Sequence, residues 1–349
     1  MSKLHQSLLM RAYRGEKTSV TPCWFMRQAG RYLPEYRELR QKHSMLEMIR
    51  TPKLAAEVTL QPIRRFQFDG SIIFADILNP LIGMGIEVDF IEGEGPKIFN
   101  PIETTKDVSK LKVPAAVDNI PYTLEAVSLV ASELDKLNIP LLGFSGSPFT
   151  LSSYMIEGRP AEGLSKTLQF AKDNPESWNE LQEKLAHVVS DNLVAQNLAG
   201  GSAIQLFDTW VGSLSREEFS TLALPHIKSI IELVKAKTDA PLLYFAKNAN
   251  HLLPTIKDLG FDALSIDYNI SLSEADNLTD NRFPLQGNLD PVLLKGSKDE
   301  LEKRTLEILE EGTKLKSHIF NLGHGILPQT PPENVSLVRE LVRSYERLL

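Results

Sequence analysis

An apolar run, Cys23 to Met26, stops abruptly at Arg27, and Arg31, Arg37 and Arg40 follow with Gly30 and Pro34 between them. A guanidinium offers a planar fork of donors matched to carboxylate or phosphate, so a cation fixed at the end of a buried segment is usually aimed at an anion. One arginine alone would read as a solvated basic turn. Four in so short a stretch read as an anion-binding segment. The charge distribution agrees: the chain is net −7, yet residues 1–65 hold 13 Lys+Arg against 5 Asp+Glu, and the remainder 25 against 40. An acidic chain of this kind is no general binder of nucleic acid or membrane. Positive charge gathered in one segment suits capture of a small polyanion inside a pocket.

Asp76 is the second informative residue. It ends the run Ser71–Asp76 in largely apolar company, where an ionised carboxylate costs several kcal/mol unless it is paired. It either caps the next helix or faces a ligand. His324, between two glycines, reads on its own as a rim histidine, and Tyr154, inside a helix after a Gly-Ser-Pro-Phe turn, as packing.

These residues need a scaffold that brings them together. Short apolar runs recur at 21–26, 71–78, 139–145, 202–208, 240–247, 263–268, 284–289 and 317–323, separated by amphipathic segments such as 176–199 and 216–238. Continuous apolar runs suit parallel strands buried on both faces. Eight of them with intervening helices predict an α/β fold, a single (β/α)8 TIM-type barrel over residues 1–349. A doubly wound sheet is the alternative, but no Gly-x-Gly-x-x-Gly follows any run, against a dinucleotide site. About two extra N-terminal helices, including 53–66, fall between the first two runs. Residues 85–90 and 95–99 read as a hairpin inserted near the barrel mouth. Barrel chemistry sits at the C-terminal ends of strands, which here carry Arg27, Asp76, Ser145-Gly146-Ser147, Asp208-Thr209, Lys247, Asp267, Asn288 to Asp290 and Gly323-His324-Gly325.

At 349 residues, 42% hydrophobic and 24% charged, the composition is that of a soluble globular enzyme. A single cysteine, Cys23, excludes a disulfide framework and a thiolate-rich metal site. With neither a signal-like start nor a membrane-length apolar stretch, the expected compartment is the cytoplasm.

Six segments, MRQAGRYLPEYRELR (26–40), FADIL (74–78), GFSGSPFTLSSYMIEG (143–158), QLFDTWVG (205–212), LQGNLDP (285–291) and NLGHGILPQTPPENV (321–335), are spread from end to end. On them the chain resembles the uroporphyrinogen decarboxylase family along essentially its whole length. The resemblance implies a homodimeric barrel that uses no cofactor and no metal. It removes the four acetate carboxyl groups of uroporphyrinogen III as carbon dioxide, giving coproporphyrinogen III. It also implies that Arg27 and Arg31 contact substrate carboxylates, that Gln28, Ala29 and Gly30 belong to the same binding turn, and that Arg40 is a further basic cleft residue. Asp76 would accept hydrogen bonds from the pyrrole N–H groups, with Tyr154, Thr209 and His324 as further substrate-binding positions. Asp76 and Arg31 are then the expected catalytic residues.

The octacarboxylate substrate accounts for a basic cleft in an acidic protein. Thr209 stands where the family often has serine, and keeps the hydroxyl. The loops 159–162 and 247–250 look less glycine-rich than the family pattern. Two rivals remain: a related barrel methyltransferase, whose zinc needs His and Cys ligands that one cysteine cannot supply, and a non-catalytic polyanion carrier, which would need the arginines but not Asp76.

Overall fold

The computed structural model describes residues 4–91, 95–161 and 163–345, so the hairpin tip and Glu162 of the 159–162 loop lie outside the described residues. Nine strands run in chain order: β1 (Ser71–Ile72), β2 (Val88–Ile91), β3 (Gly95–Ile98), β4 (Leu141–Gly146), β5 (Ala203–Asp208), β6 (Leu242–Ala246), β7 (Ala263–Ser265), β8 (Leu285–Leu289) and β9 (His318–Leu322). Seven of them form one parallel sheet in the order β1-β4-β5-β6-β7-β8-β9. A parallel bridge from Cys23 to Phe320 attaches residues 22–26 to the far edge of β9. The seven strands of this sheet fall on seven of the eight apolar runs, the eighth being the bridged segment, and the curled sheet with its outer helices is the expected (β/α)8 barrel.

Two staves, those of the runs at 71–78 and 21–26, lose regular pairing for the same reason. The run at 71–78 pairs with β4 only as far as Ile73, whose N–H reaches the Leu142 carbonyl at 3.1 Å. The next N–H, that of Phe74, goes instead to the Thr59 hydroxyl at 2.9 Å. Residues 22–26 form no regular strand. The Cys23 N–H is taken by the Asp69 carboxylate at 2.8 Å, that of Phe25 by the Gln28 amide at 3.2 Å, and that of Met26 by the Asn321 amide at 2.9 Å. Buried N–H groups must find acceptors, and here side chains supply what a neighbouring strand would.

Between β1 and the first segment the seam is closed by Asp69. Its N–H donates to the Cys23 carbonyl at 2.9 Å, and its second carboxylate oxygen accepts from Arg339 at 3.2 Å. Arg339 comes from the last helix, Pro332–Ser344, and also donates twice to the Gln67 carbonyl, at 3.2 and 3.0 Å. Burial raises the Asp69 pKa, with Arg339 and the Cys23 N–H opposing.

Inside the barrel, Gln286 accepts from the Tyr13 hydroxyl at 2.7 Å and the Trp24 indole at 2.9 Å, and donates to Gln205 at 3.1 Å. A buried network of this kind rigidifies a core that could otherwise repack.

Three helices, Pro34–Arg40, Met45–Arg50 and Pro52–Phe66, occupy the first connection instead of about two. The segment at 216–238 is split into Arg216–Leu222 and Leu224–Lys235. Pro225 has no N–H to continue the first helix, so the chain breaks just before it. The hairpin of β2 and β3 is antiparallel, pairing Val88 with Ile98. It lies against the end of the helix Pro148–Glu157 through Ile98 N–H to Gly158 at 2.8 Å and Ile102 N–H to Met155 at 2.8 Å. Among the described residues no helix is long and apolar enough to cross a membrane.

Replacing Arg339 with Met would leave the buried Asp69 carboxylate without its cation. Stability should fall by about 3 kcal/mol, the size seen when one partner of a buried pair is removed. Urea unfolding of the two proteins measures this, and an unchanged midpoint would show that Asp69 does not need Arg339.

Candidate active site

Arg27 adopts a left-handed backbone conformation, with φ at 58°, which turns the chain out of the barrel immediately after Met26. Its side chain lies across Gly325. A Cβ placed there would stand 2.3 Å from Arg27 Cδ, and at Gly323 a Cβ would stand 2.4 Å from the Tyr268 nitrogen. The glycines flanking His324 are therefore demanded by close approach on both sides.

Around Arg27 stand Asp76, Tyr154 and His324, each near enough for its charge to act on their protonation. Asp76, just beyond β1, is half-buried. One carboxylate oxygen accepts the Leu78 N–H at 2.9 Å, as a cap would. The other has no hydrogen-bond partner among the described residues. The capping reading of Asp76 therefore holds, with one oxygen of the carboxyl group left over. Burial raises its pKa, while the Leu78 N–H and Arg27 favour the ionised form. Tyr154 is pushed up to about 12, by burial first and then by the Asp76 charge, so its hydroxyl keeps its proton as a donor. His324 is pushed down to about 3, by burial and by the charges of Arg27 and Lys247. It is a neutral ring between two cations.

The other expected residues separate into groups. Gln28 is fully buried, with its side chain between the Phe25 N–H and the Gly70 carbonyl, so it shapes the turn from within. Ala29 and Gly30 are half-buried and Arg31 is exposed. Arg37 donates to the carbonyls of Arg31 and Tyr32 at 3.0 Å each, and Arg40 donates to that of His43. These two arginines hold backbone. Arg31 and Arg40 both act on Tyr36, on the segment that follows Arg27. Thr209 is half-buried at the end of β5. The preceding Asp208 is fully buried and accepts from the Thr150 hydroxyl at 2.7 Å and the Tyr244 hydroxyl at 2.8 Å.

Among the described residues some arginines are paired with carboxylates and others are not. Arg11, Arg14, Arg64, Arg65, Arg282, Arg304 and Arg339 each have a carboxylate partner. The guanidinium groups of Arg27 and Arg31 have none among the described residues.

Sequence reasoning left out the aromatic wall. Trp210 meets the Tyr154 ring at 5.9 Å, Phe245 meets His324 at 6.2 Å, and Phe207 meets Phe144 at 5.6 Å and Phe245 at 5.8 Å. Phe144, Phe207 and Phe245 sit within apolar runs and Trp210 just past the end of one, where residue type alone does not tell a cleft wall from core. Lys247 was visible only as one polar residue among several strand ends. Among the described residues no group of three or more His, Cys, Asp or Glu could hold a metal, and Cys23 is fully buried.

His324 offers a test of this electrostatic arrangement. Its folded pKa lies below the unfolded one, so the neutral ring contributes stability that is complete above about pH 6.5 and is lost as pH falls towards 3. Histidine-labelled NMR should find His324 neutral down to about pH 5. A midpoint near 6.5 would mean that the ring is solvated and away from both cations.

The uroporphyrinogen decarboxylase (URO-D) family model matches residues 4–345. The chain is 45% identical over 345 residues to the uroporphyrinogen decarboxylase of Carboxydothermus hydrogenoformans, covering 97% of this chain and 98% of that protein. It is 41% identical over 347 residues to that of Oceanobacillus iheyensis, covering 99% of each. Among solved structures, a methyltransferase from Methanosarcina mazei superposes with a TM-score of 0.80 over 98% of each chain at 20% identity, a likeness of fold. With the family match running through every stave of the barrel and both ends of the cleft, the chain belongs to the uroporphyrinogen decarboxylase family.

Proposed function

We propose that Asp76 is the electrostatic centre of the four decarboxylations that convert uroporphyrinogen III to coproporphyrinogen III, with Arg27 and Arg31 holding substrate carboxylates. The observation that carries this reading is a half-buried carboxylate with one oxygen free, set beside a cation that has no carboxylate of its own. The family fixes the reaction class, a carboxy-lyase of porphyrin biosynthesis.

Loss of carbon dioxide leaves an electron pair on the acetate carbon, and the pyrrole can receive it. Protonation of a ring α-carbon makes an iminium-like cation. The bond to the carboxyl group then breaks, its electrons form an exocyclic double bond, and carbon dioxide departs. A second proton on the exocyclic carbon makes the methyl group, and loss of the α-carbon proton restores the pyrrole. Each acetate thus takes up one proton in exchange for carbon dioxide. Asp76 would accept the pyrrole N–H groups and favour the cation over the neutral ring, and such differential stabilisation is what accelerates a step. The Tyr154 hydroxyl and neutral His324 are suited to hydrogen bonds with substrate, and the rings of Phe207 and Trp210 to excluding water. An arginine is a poor general acid at neutral pH, so Arg31 is assigned to charge stabilisation.

Incubation with reduced uroporphyrinogen, followed by chromatographic counting of product carboxyl groups, tests the activity. Asp76→Asn keeps size and one acceptor oxygen while removing the charge. It should cost about 3–4 kcal/mol in kcat, with a smaller change in KM; near-wild-type kcat in a folded protein would refute the mechanism. Arg27→Ala or Arg31→Ala should weaken substrate use by roughly 2–5 kcal/mol, and unchanged kinetics at all four steps would exclude the clamp. A cytosolic homodimer that needs neither metal nor organic cofactor completes the proposal. EDTA should then leave turnover intact, and sedimentation should give twice the chain mass.

A further inference from the structure

We infer that Lys247 is a further anion anchor of this cleft, set across the barrel mouth from Arg27 and Arg31, where its ammonium takes a peripheral carboxylate on the far edge of the tetrapyrrole. The inference rests on the function proposed above and adds a residue to it.

Position comes first. Counted round the barrel from residues 22–26, β6 is the fifth of eight staves, hence diametrically opposite the arginine segment. Lys247 is the residue immediately after β6, at the end of the barrel that carries Arg27, Asp76 and His324. A macrocycle with carboxylates around its whole rim, centred over Asp76, needs cations on more than one side. The arginines can serve only the side on which they stand.

The backbone at Lys247 is held on both flanks. Its N–H reaches the Asp208 carbonyl at 3.4 Å. Its own carbonyl lies against Gly212, where a Cβ would stand 2.1 Å away. The next residue, Asn248, has φ at 55° and gives its N–H to the buried Asp267 carboxylate at 2.5 Å. A lysine on a pinned backbone directs its flexible stem from a fixed point.

The side chain has no other employment. Lys247 is half-buried, and its ammonium has neither an ion pair nor a hydrogen bond among the described residues. The acidic residues on neighbouring stave ends are engaged with neutral donors, Asp208 with Thr150 and Tyr244, and Asp267 with the N–H groups of Asn248 and Asn269. A partly desolvated ammonium without a counter-ion is unfavourable until an anion arrives. Lys247 also shares with Arg27 the depression of His324, so the two cations flank one neutral ring.

The test compares Lys247→Met and Lys247→Arg with the wild type in steady-state turnover of uroporphyrinogen. Lys247→Met should raise KM about tenfold while kcat stays within about threefold. Lys247→Arg, which keeps the charge, should bring KM back towards wild type, and the His324 pKa should rise in Lys247→Met alone. An unchanged KM in Lys247→Met, or a rise that Lys247→Arg does not relieve, overturns the anchor while leaving the proposed function standing. Failure of the wild type to remove carboxyl groups overturns that function, and the anchor with it.

Discussion

The N–H groups of residues 22–26 have to be satisfied in a buried place where no regular strand pairs with them. Three side chains from distant parts of the chain, Asp69, Gln28 and Asn321, accept those of Cys23, Phe25 and Met26. An unpartnered buried N–H costs on the order of 1–3 kcal/mol, so these acceptors decide both the path of the segment and its end. Beyond its short backbone bridge to Phe320 the segment is held by side chains, and at Arg27 it turns into a left-handed conformation. The same arrangement closes the barrel through Asp69 and places the first cation at its mouth.

Electrostatics in the mouth follow from which charges are already paired. Several surface arginines face carboxylates, and exposed pairs of that kind contribute little to stability. Arg27 and Arg31 lack such partners, although they belong to the most basic part of an acidic chain. Beside Arg27 a carboxyl group sits where burial opposes its ionisation, and a histidine sits where burial and two cations keep it neutral. The result is a mouth with cations that lack carboxylate partners, one half-buried carboxyl group, and a neutral ring that adds no further charge.

A methyltransferase barrel superposes on this chain over nearly its full length at 20% identity, so the barrel itself does not select the chemistry. What distinguishes this chain is the set of groups on the strand ends. A fold of this kind supports many reactions by changing those residues while the staves remain.

The eight apolar runs made the barrel legible before any coordinate, because strands buried on both faces need continuous apolar sequence. Arg27 and Asp76 were legible as chemistry because each ends such a run, and the family resemblance supplied Tyr154, Thr209 and the substrate-binding reading of His324. Periodicity could not show where ladders would stop. The end of the β1 pairing depends on the Thr59 hydroxyl, and the irregular first stave on Asp69 and Asn321, all acceptors remote in sequence. Nor could residue type separate Gln28, whose amide is enclosed in its own turn, from the arginines beside it, or assign Phe207, Trp210 and Phe245 to the cleft wall. Hydrophobic pattern and charge placement are local properties of the chain, and they determined the architecture and the end of the barrel that carries chemistry. Which polar groups remain unpartnered there was decided by the tertiary structure alone, because pairing is a contact between residues that only the closed barrel brings together.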